Sequence, residues 1–143
     1  ISAEKTYERA IEAALGGNIN NVIVQDADGA REAIDFLKRH KAGRVTFLPL
    51  DIIRGGRGDE GAEIRHERGV IAPALDVVQY DPSLQLAMEY LLHSTVIVET
   101  IEDAIRIARN NRRYPRLVTL DGDVVTSSGA VTGGNTKHET RGL

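Results

Sequence analysis

The stretch "LVTLDGDVVTSSGAVTGG", Leu117 to Gly134, decides how the chain is read. Asp121-Gly122 stands between two apolar runs, "LVTL" and "VV", which is a strong signal for a hairpin. The remainder is small and polar, yet Ala130-Val131-Thr132 at its centre reads as a further strand. Gly129, Gly133 and Gly134 surround that strand. Glycine loses more conformational freedom on ordering than any other residue, so three of them so close together call for a reason. Bare backbone serves a tight turn, a phosphate, or the close approach of a second chain.

Working outward, the 143 residues suffice for one domain or two small lobes with a real core. The apolar share of 41% with 27% charged residues is that of an ordinary globular protein. The absence of cysteine rules out disulfides and thiolate metal sites and favours an intracellular setting. Tryptophan is absent and other aromatics are few, so stacking on nucleobases has few candidates. A formal charge of −3 does not suit a dedicated nucleic-acid binder, although a local basic patch is compatible with it. No apolar run reaches the ~20 residues of a membrane helix. No signal peptide is visible at Ile1, and a first residue other than methionine suggests a segment of something longer.

Tyr7, Ala10, Ile11, Ala14 and Leu15 fall at helical spacing and stop at Gly16-Gly17. "NVIVQ" reads as a strand. Asp28 is placed to cap a helix with stripe Ala30, Ala33, Ile34 and Leu37 that ends at Gly43, and "RVTFLPL" reads as the next strand. Together they predict a right-handed βαβ unit. The second half echoes the first. "AMEYLL" follows "AIEAAL", "TVIV" follows "NVIV", and "RLVTL" follows "RVTFL"; Thr100 and Asp103 form a capping box for the helix between the last two strands. The expectation is a duplicated α-β-α-β unit in two lobes, joined by the glycine-rich "DIIRGGRGDEGAEIRHERG" of Asp51 to Gly69.

"GRGDEG", Gly56 to Gly61, fits the dinucleotide fingerprint, but that motif works only where a strand turns directly into a helix. Asp51 to Arg54 intervene here, and no apolar stripe follows. The pairs Asp26/Asp28 and Asp121/Asp123 could hold a hard cation, but a cap and a hairpin turn account for them better. His40, His66, His93 and His138 are scattered without ligand spacing, and no serine sits in a nucleophile elbow. No constellation points to catalysis. "RIARNNRRYPR" holds Arg106, Arg109, Arg112, Arg113 and Arg116, either a solvated helix end or a phosphate-contacting patch.

"YERAIEAALGG", "GRVTFLPL", "GVIAPALDVVQYD" and "LVTLDGDVVTSSGAVTGG", in that order, resemble the hinge domain of SMC (structural maintenance of chromosomes) proteins of prokaryotic type, from Tyr7 to about Lys137. The resemblance implies an α/β (α+β) fold of two related small lobes with mixed sheets, pairing as a two-fold toroidal dimer. It implies lobes at about 3–50 and 70–134, a linker loop at 51–69, and the start of a return coiled coil at 135–143. Its implied role is a non-enzymatic homodimerisation hinge that joins the two coiled-coil arms of a chromosome-organising ATPase, cytoplasmic and nucleoid-associated. ATP and Mg belong to head domains of the parent protein, so no cofactor is expected in this chain and no membrane contact. Gly129, Ala130, Val131, Thr132, Gly133 and Gly134 become the expected dimer interface, with main-chain groups pairing across it. Weak, sequence-independent DNA contact is implied at the hinge–coil junction, where Lys137 and Arg141 lie; Arg106, Arg109, Arg112 and Arg113 are candidates from charge alone. The alternatives are a module that primarily binds nucleic acid and, resting only on "GRGDEG", a small nucleotide-binding enzyme.

Overall fold

The structure, a computed structural model, describes residues 1–56 and 61–134. Its elements run β1 (Ser2–Ala3), α1 (Glu8–Leu15), β2 (Val22–Val24), α2 (Ala27–His40), β3 (Phe47–Pro49), β4 (Val70–Pro73), β5 (Val78–Gln79), α3 (Gln85–Leu92), β6 (Thr95–Val98), α4 (Ile101–Asn110), β7 (Arg116–Thr119), β8 (Val124–Val125) and β9 (Val131–Thr132). The repeat read from the sequence is present as an order of elements: α1-β2-α2-β3 is followed by α3-β6-α4-β7. In each half the two strands pair in parallel, β2 with β3 and β6 with β7.

The two halves differ in what surrounds those strands. The second lies within a mixed five-stranded sheet of order β4-β6-β7-β8-β9, while β2 and β3 form a sheet of two. Every residue of β6 is buried, as expected for a central strand covered on both faces. Alternation along the strands sorts the side chains. Val96, Val98, Leu117 and Val125 meet Ala104 and Ile107 of α4 together with Ile64. Ile97, Val118 and Val124 face the other way, toward Ala10, Ile11 and Ala14 of α1 and Met88 and Leu92 of α3. Full burial of such side chains contributes about 1.5–3 kcal/mol each.

Helix α1 thus packs in the core of the second-half sheet, against α3 and β7. The packing crosses the division of the sequence at residues 3–50 and 70–134. Strand β1 pairs antiparallel with β5 and ties the same two regions together.

The caps differ from expectation at one helix. Asp26, not Asp28, caps α2: its carboxylate accepts from the Gly29 N–H at 2.8 Å, while Asp28 lies in the first turn beside Arg31. Both aspartates are suitable caps, and the extended backbone at residue 26 decides between them. The helix stops at His40, and Lys41 rather than Gly43 takes the left-handed cap. At α4 the expected cap forms, but the Asp103 carboxylate meets the Thr100 hydroxyl rather than its backbone N–H, so the box is not reciprocal. Thr100 Oγ1 accepts from the Asp103 N–H at 3.1 Å and donates to Asp103 Oδ2 at 2.9 Å. Arg106 donates to Asp103 Oδ1 at 2.8 Å and also to the Arg68 carbonyl, so this carboxylate fastens the start of α4 to the chain entering β4.

The Arg106 guanidinium, then the Thr100 hydroxyl, hold the Asp103 carboxyl below its ordinary range. A lowered folded-state pKa gives stability that is present above the unfolded value, about 4, and is lost as pH falls through the folded one. Asp103→Asn is therefore expected to lower Tm at pH 7, with the deficit shrinking progressively below pH ~4. Thermal melts across pH check this, and a deficit constant down to pH 2 would contradict it.

Candidate dimerisation surface

Two consecutive hairpins built on one local grammar bring the chain to β9. In the first, the Gly122 N–H donates to the Thr119 carbonyl and the Thr119 N–H to the Asp123 carbonyl, both at 2.9 Å. In the second, the Gly129 N–H donates to Thr126 and the Thr126 N–H to Ala130, again at 2.9 Å. The threonine hydroxyls repeat the pattern, Thr119 Oγ1 accepting from the Asp123 N–H and Thr126 Oγ1 from the Ala130 N–H, each at 3.0 Å. Gly122 and Gly129 stand at φ +93° and +100°. Each is a three-residue loop with glycine in the left-handed position of a bulge. The hairpin read at Asp121-Gly122 is present, with a loop one residue longer than the pair alone implies.

The Thr126 to Ala130 bond fixes the phase of the next ladder. In an antiparallel pair hydrogen-bonded and non-hydrogen-bonded positions alternate. Val125 opposite Val131 is therefore non-hydrogen-bonded, and Val124 opposite Thr132 is hydrogen-bonded. The N–H and C=O of Val131 point away from β8, to the outer edge of the sheet. No strand pairs with that edge among the described residues. Val131 is 56% exposed, and residues 127–134 are exposed throughout.

The glycines of the segment serve different ends. Gly129 holds a turn. Gly134 stands at φ +114° with open space around it. A Cβ on Gly133 would lie 2.4 Å from Asp123 Oδ1 of the same chain, so a side chain there would have to displace that carboxylate.

The β2–β3 lobe is the other unpartnered surface. Of ten exposed large hydrophobics among the described residues, six lie between residues 19 and 52: Ile19, Val22, Ile34, Phe36, Val45 and Ile52. Among the described residues from 19 to 52 only Ala30, Leu48 and Pro49 are buried. A two-stranded sheet is marginal alone, and a lobe with so little buried of its own is a candidate for completion by another chain.

The other sequence candidates separate. Arg106 is committed to Asp103 and Arg68. Arg109, Arg112 and Arg113 are exposed at the end of α4 and the loop after it. Lys137, Arg141, His138 and the segment 135–143 lie outside the described residues, as do residues 57–60 of "GRGDEG". Gly61 leads into a single 3-10 turn, Ala62–Ile64, rather than an α-helix, so the dinucleotide arrangement has no helix to complete it. Sequence reasoning missed Gly55 and Gly56: a Cβ on either would collide with Glu89 or His93, so the linker begins pressed against α3. No periodicity signals such a contact.

Residues 1–108 match the family described as SMC proteins Flexible Hinge Domain. The chain is 39% identical over its whole length to the chromosome partition protein Smc of Desulfitobacterium hafniense, of which it spans 12%. Its backbone superposes on the asymmetric dimer of the Geobacillus stearothermophilus SMC hinge domain with a TM-score of 0.83 at 36% identity, covering 98% of this chain and 59% of that one. On the Pyrococcus furiosus Smc hinge with an extended coiled coil the TM-score is 0.78 at 37% identity, covering 98% and 49%. The mixed α/β architecture, the repeated α-β-α-β order and these likenesses agree: the chain belongs to the SMC hinge family.

Proposed function

We propose that this chain pairs with a second copy of itself, β9 of each subunit adding to the β2–β3 sheet of the other, and so joins two coiled-coil arms of a longer chromosome-organising ATPase. The observation that carries the reading is a complementary pair of unpartnered surfaces on one chain. A strand edge unpaired among the described residues, with outward-pointing Val131 groups, borders the five-stranded sheet, and the two-stranded sheet belongs to a lobe that exposes six large apolar side chains. Main-chain pairing supplies the hydrogen bonds, and the side chains around it supply buried apolar area. Two-fold symmetry uses each patch twice and closes the assembly, which also hides an edge that would otherwise invite aggregation. Gly129 to Gly134 form the interface strand and its flanks, with Gly129 and Gly133 shaping the subunit and Gly134 allowing the closest approach of backbones. The chain spans about an eighth of the curated relative from Desulfitobacterium. The arms, the ATP- and Mg-dependent heads and a cytoplasmic, nucleoid-associated setting are what membership would give the parent protein. Among the described residues no helix is long and apolar enough to cross a membrane.

A second, compatible reading is weak DNA contact. Arg109, Arg112 and Arg113 have no ion-pair partner among the described residues and share one exposed end of α4. Lys137 and Arg141 are the other candidate pair.

The isolated domain is expected to be a dimer at micromolar concentration by sedimentation equilibrium. Val131→Pro tests the mode. The Val131 N–H does not serve β8, and proline is tolerated at an outer edge, so the subunit should stay folded, with far-ultraviolet circular dichroism like the parent's. The change removes an intermolecular donor twice per dimer. At about 1–3 kcal/mol for each deprived partner, Kd should rise by roughly one to four decades. A folded variant that dimerises as tightly as the parent would remove β9 from the interface. DNA binding should be sequence-independent, with log K falling against log salt with a slope of roughly −2 to −5 for three to five phosphate contacts. Reversing Arg112 and Arg113 to glutamate, or Lys137 and Arg141, should flatten that slope; if neither does, the contact lies elsewhere.

A further inference from the structure

A cleft of about 700 Å³ opens at the starts of β6 and β7, where the turn after α1 approaches the β8–β9 loop. Asn18, Tyr90, Arg113, Tyr114, Arg116 and Ser127 are among the residues that line it. Arg116 is held at the C-terminal end of α1, its Nη1 donating to the Ala14 carbonyl at 3.3 Å. Its Nε is buried with no hydrogen-bond partner. One hydrogen bond therefore serves a side chain with five N–H donors. The Nη donors that Ala14 does not use belong to a side chain lining the cleft, and they are left for a group that arrives from solution. Arg113 is exposed at the same cleft and pairs with no carboxylate among the described residues. Two of the chain's four tyrosines also line it, adding hydroxyl donors in an aromatic-poor protein. Glu63 is the one acidic residue of the lining.

We propose that this cleft is a binding site for a phosphate group, held by the guanidinium groups of Arg113 and Arg116 with neighbouring hydroxyls completing its oxygens. Arginine presents rigid planar donor pairs that match phosphate oxygens, and two such forks with neutral donors around them suit a tetrahedral anion with several acceptors. Glu63 opposes the anion and sets a limit on affinity. The phosphate can belong to a small molecule or to a nucleic-acid strand, since both present the same oxygens. The site does not depend on the β9 pairing.

The test is calorimetric titration of the whole chain with inorganic phosphate, thymidine monophosphate and a short oligothymidylate, at matched ionic strength in chloride. Sedimentation at each concentration records oligomeric state separately. Saturable binding of phosphate is expected, weakened at least about tenfold in Arg113→Gln and tightened about two- to fivefold in Glu63→Gln, with the melting temperature of both variants unchanged. Arg116→Lys should weaken binding as well; if it unfolds, the Arg113 and Glu63 variants decide. An oligothymidylate bound more than tenfold tighter than the monophosphate, and displaced by phosphate, assigns the source to a strand; equal affinities assign it to a small molecule. Phosphate that acts no differently from chloride, or binding unchanged in both Arg113→Gln and Glu63→Gln, would overturn the proposal.

Discussion

The burial of β6 and β7 on both faces is the constraint from which the rest follows. Ile97 and Val118 need an apolar cover on one side, Val96, Val98 and Leu117 on the other. Helix α4 lies between β6 and β7 in sequence and seals the nearer face. The opposite face is closed by α3 together with α1, which comes from the far end of the chain. The sheet thereby joins residues more than a hundred positions apart, as the Arg116 to Ala14 hydrogen bond also does. Parallel pairing makes this necessary, because it requires a crossover and leaves both faces to be covered.

Drawing α1 into that core leaves β2, α2 and β3 with little of their own. Two topologically similar units therefore have unequal fates. One becomes the centre of a five-stranded sheet, and the other exposes Val22, Ile34, Phe36 and Val45. At the opposite margin, the second hairpin delivers β9 as an edge strand with its outward groups unpaired. The assembly proposed here is the physical resolution of that imbalance: the subunit makes one good sheet, and its spare edge and spare apolar lobe complete each other across a symmetry axis.

Much of this was legible in the sequence, for identifiable reasons. Asp121-Gly122 encodes turn geometry in a few residues, so the first hairpin and the β9 strand could be read locally; the second hairpin, "TSSGA", lacks that Asp-Gly pair and emerged only from the structure. The α-β-α-β repeat was legible because apolar spacing reports which face of an element is buried. It does not report against what, so the transfer of α1 into the second-half core was invisible. The α2 cap was misplaced because "DAD" offers two equivalent carboxylates, and only the backbone path chooses Asp26. The contacts of Gly55 and Gly56 with α3 and the orphaned Arg116 Nε arise from long-range packing, for which a run of glycines or arginines carries no signal.

The central claim, that the outer edge of β9 is the surface where two copies meet, is tested most directly at one backbone group. Amide exchange of Val131 can be followed by NMR at protein concentrations on both sides of the monomer–dimer transition. The account predicts that this amide is protected in the concentrated sample and exchanges freely in the dilute one, while the amide of Thr132, bonded within the subunit to β8, changes far less. A Val131 amide that exchanges at the same rate throughout, in a protein that is dimeric at the higher concentration, would contradict it.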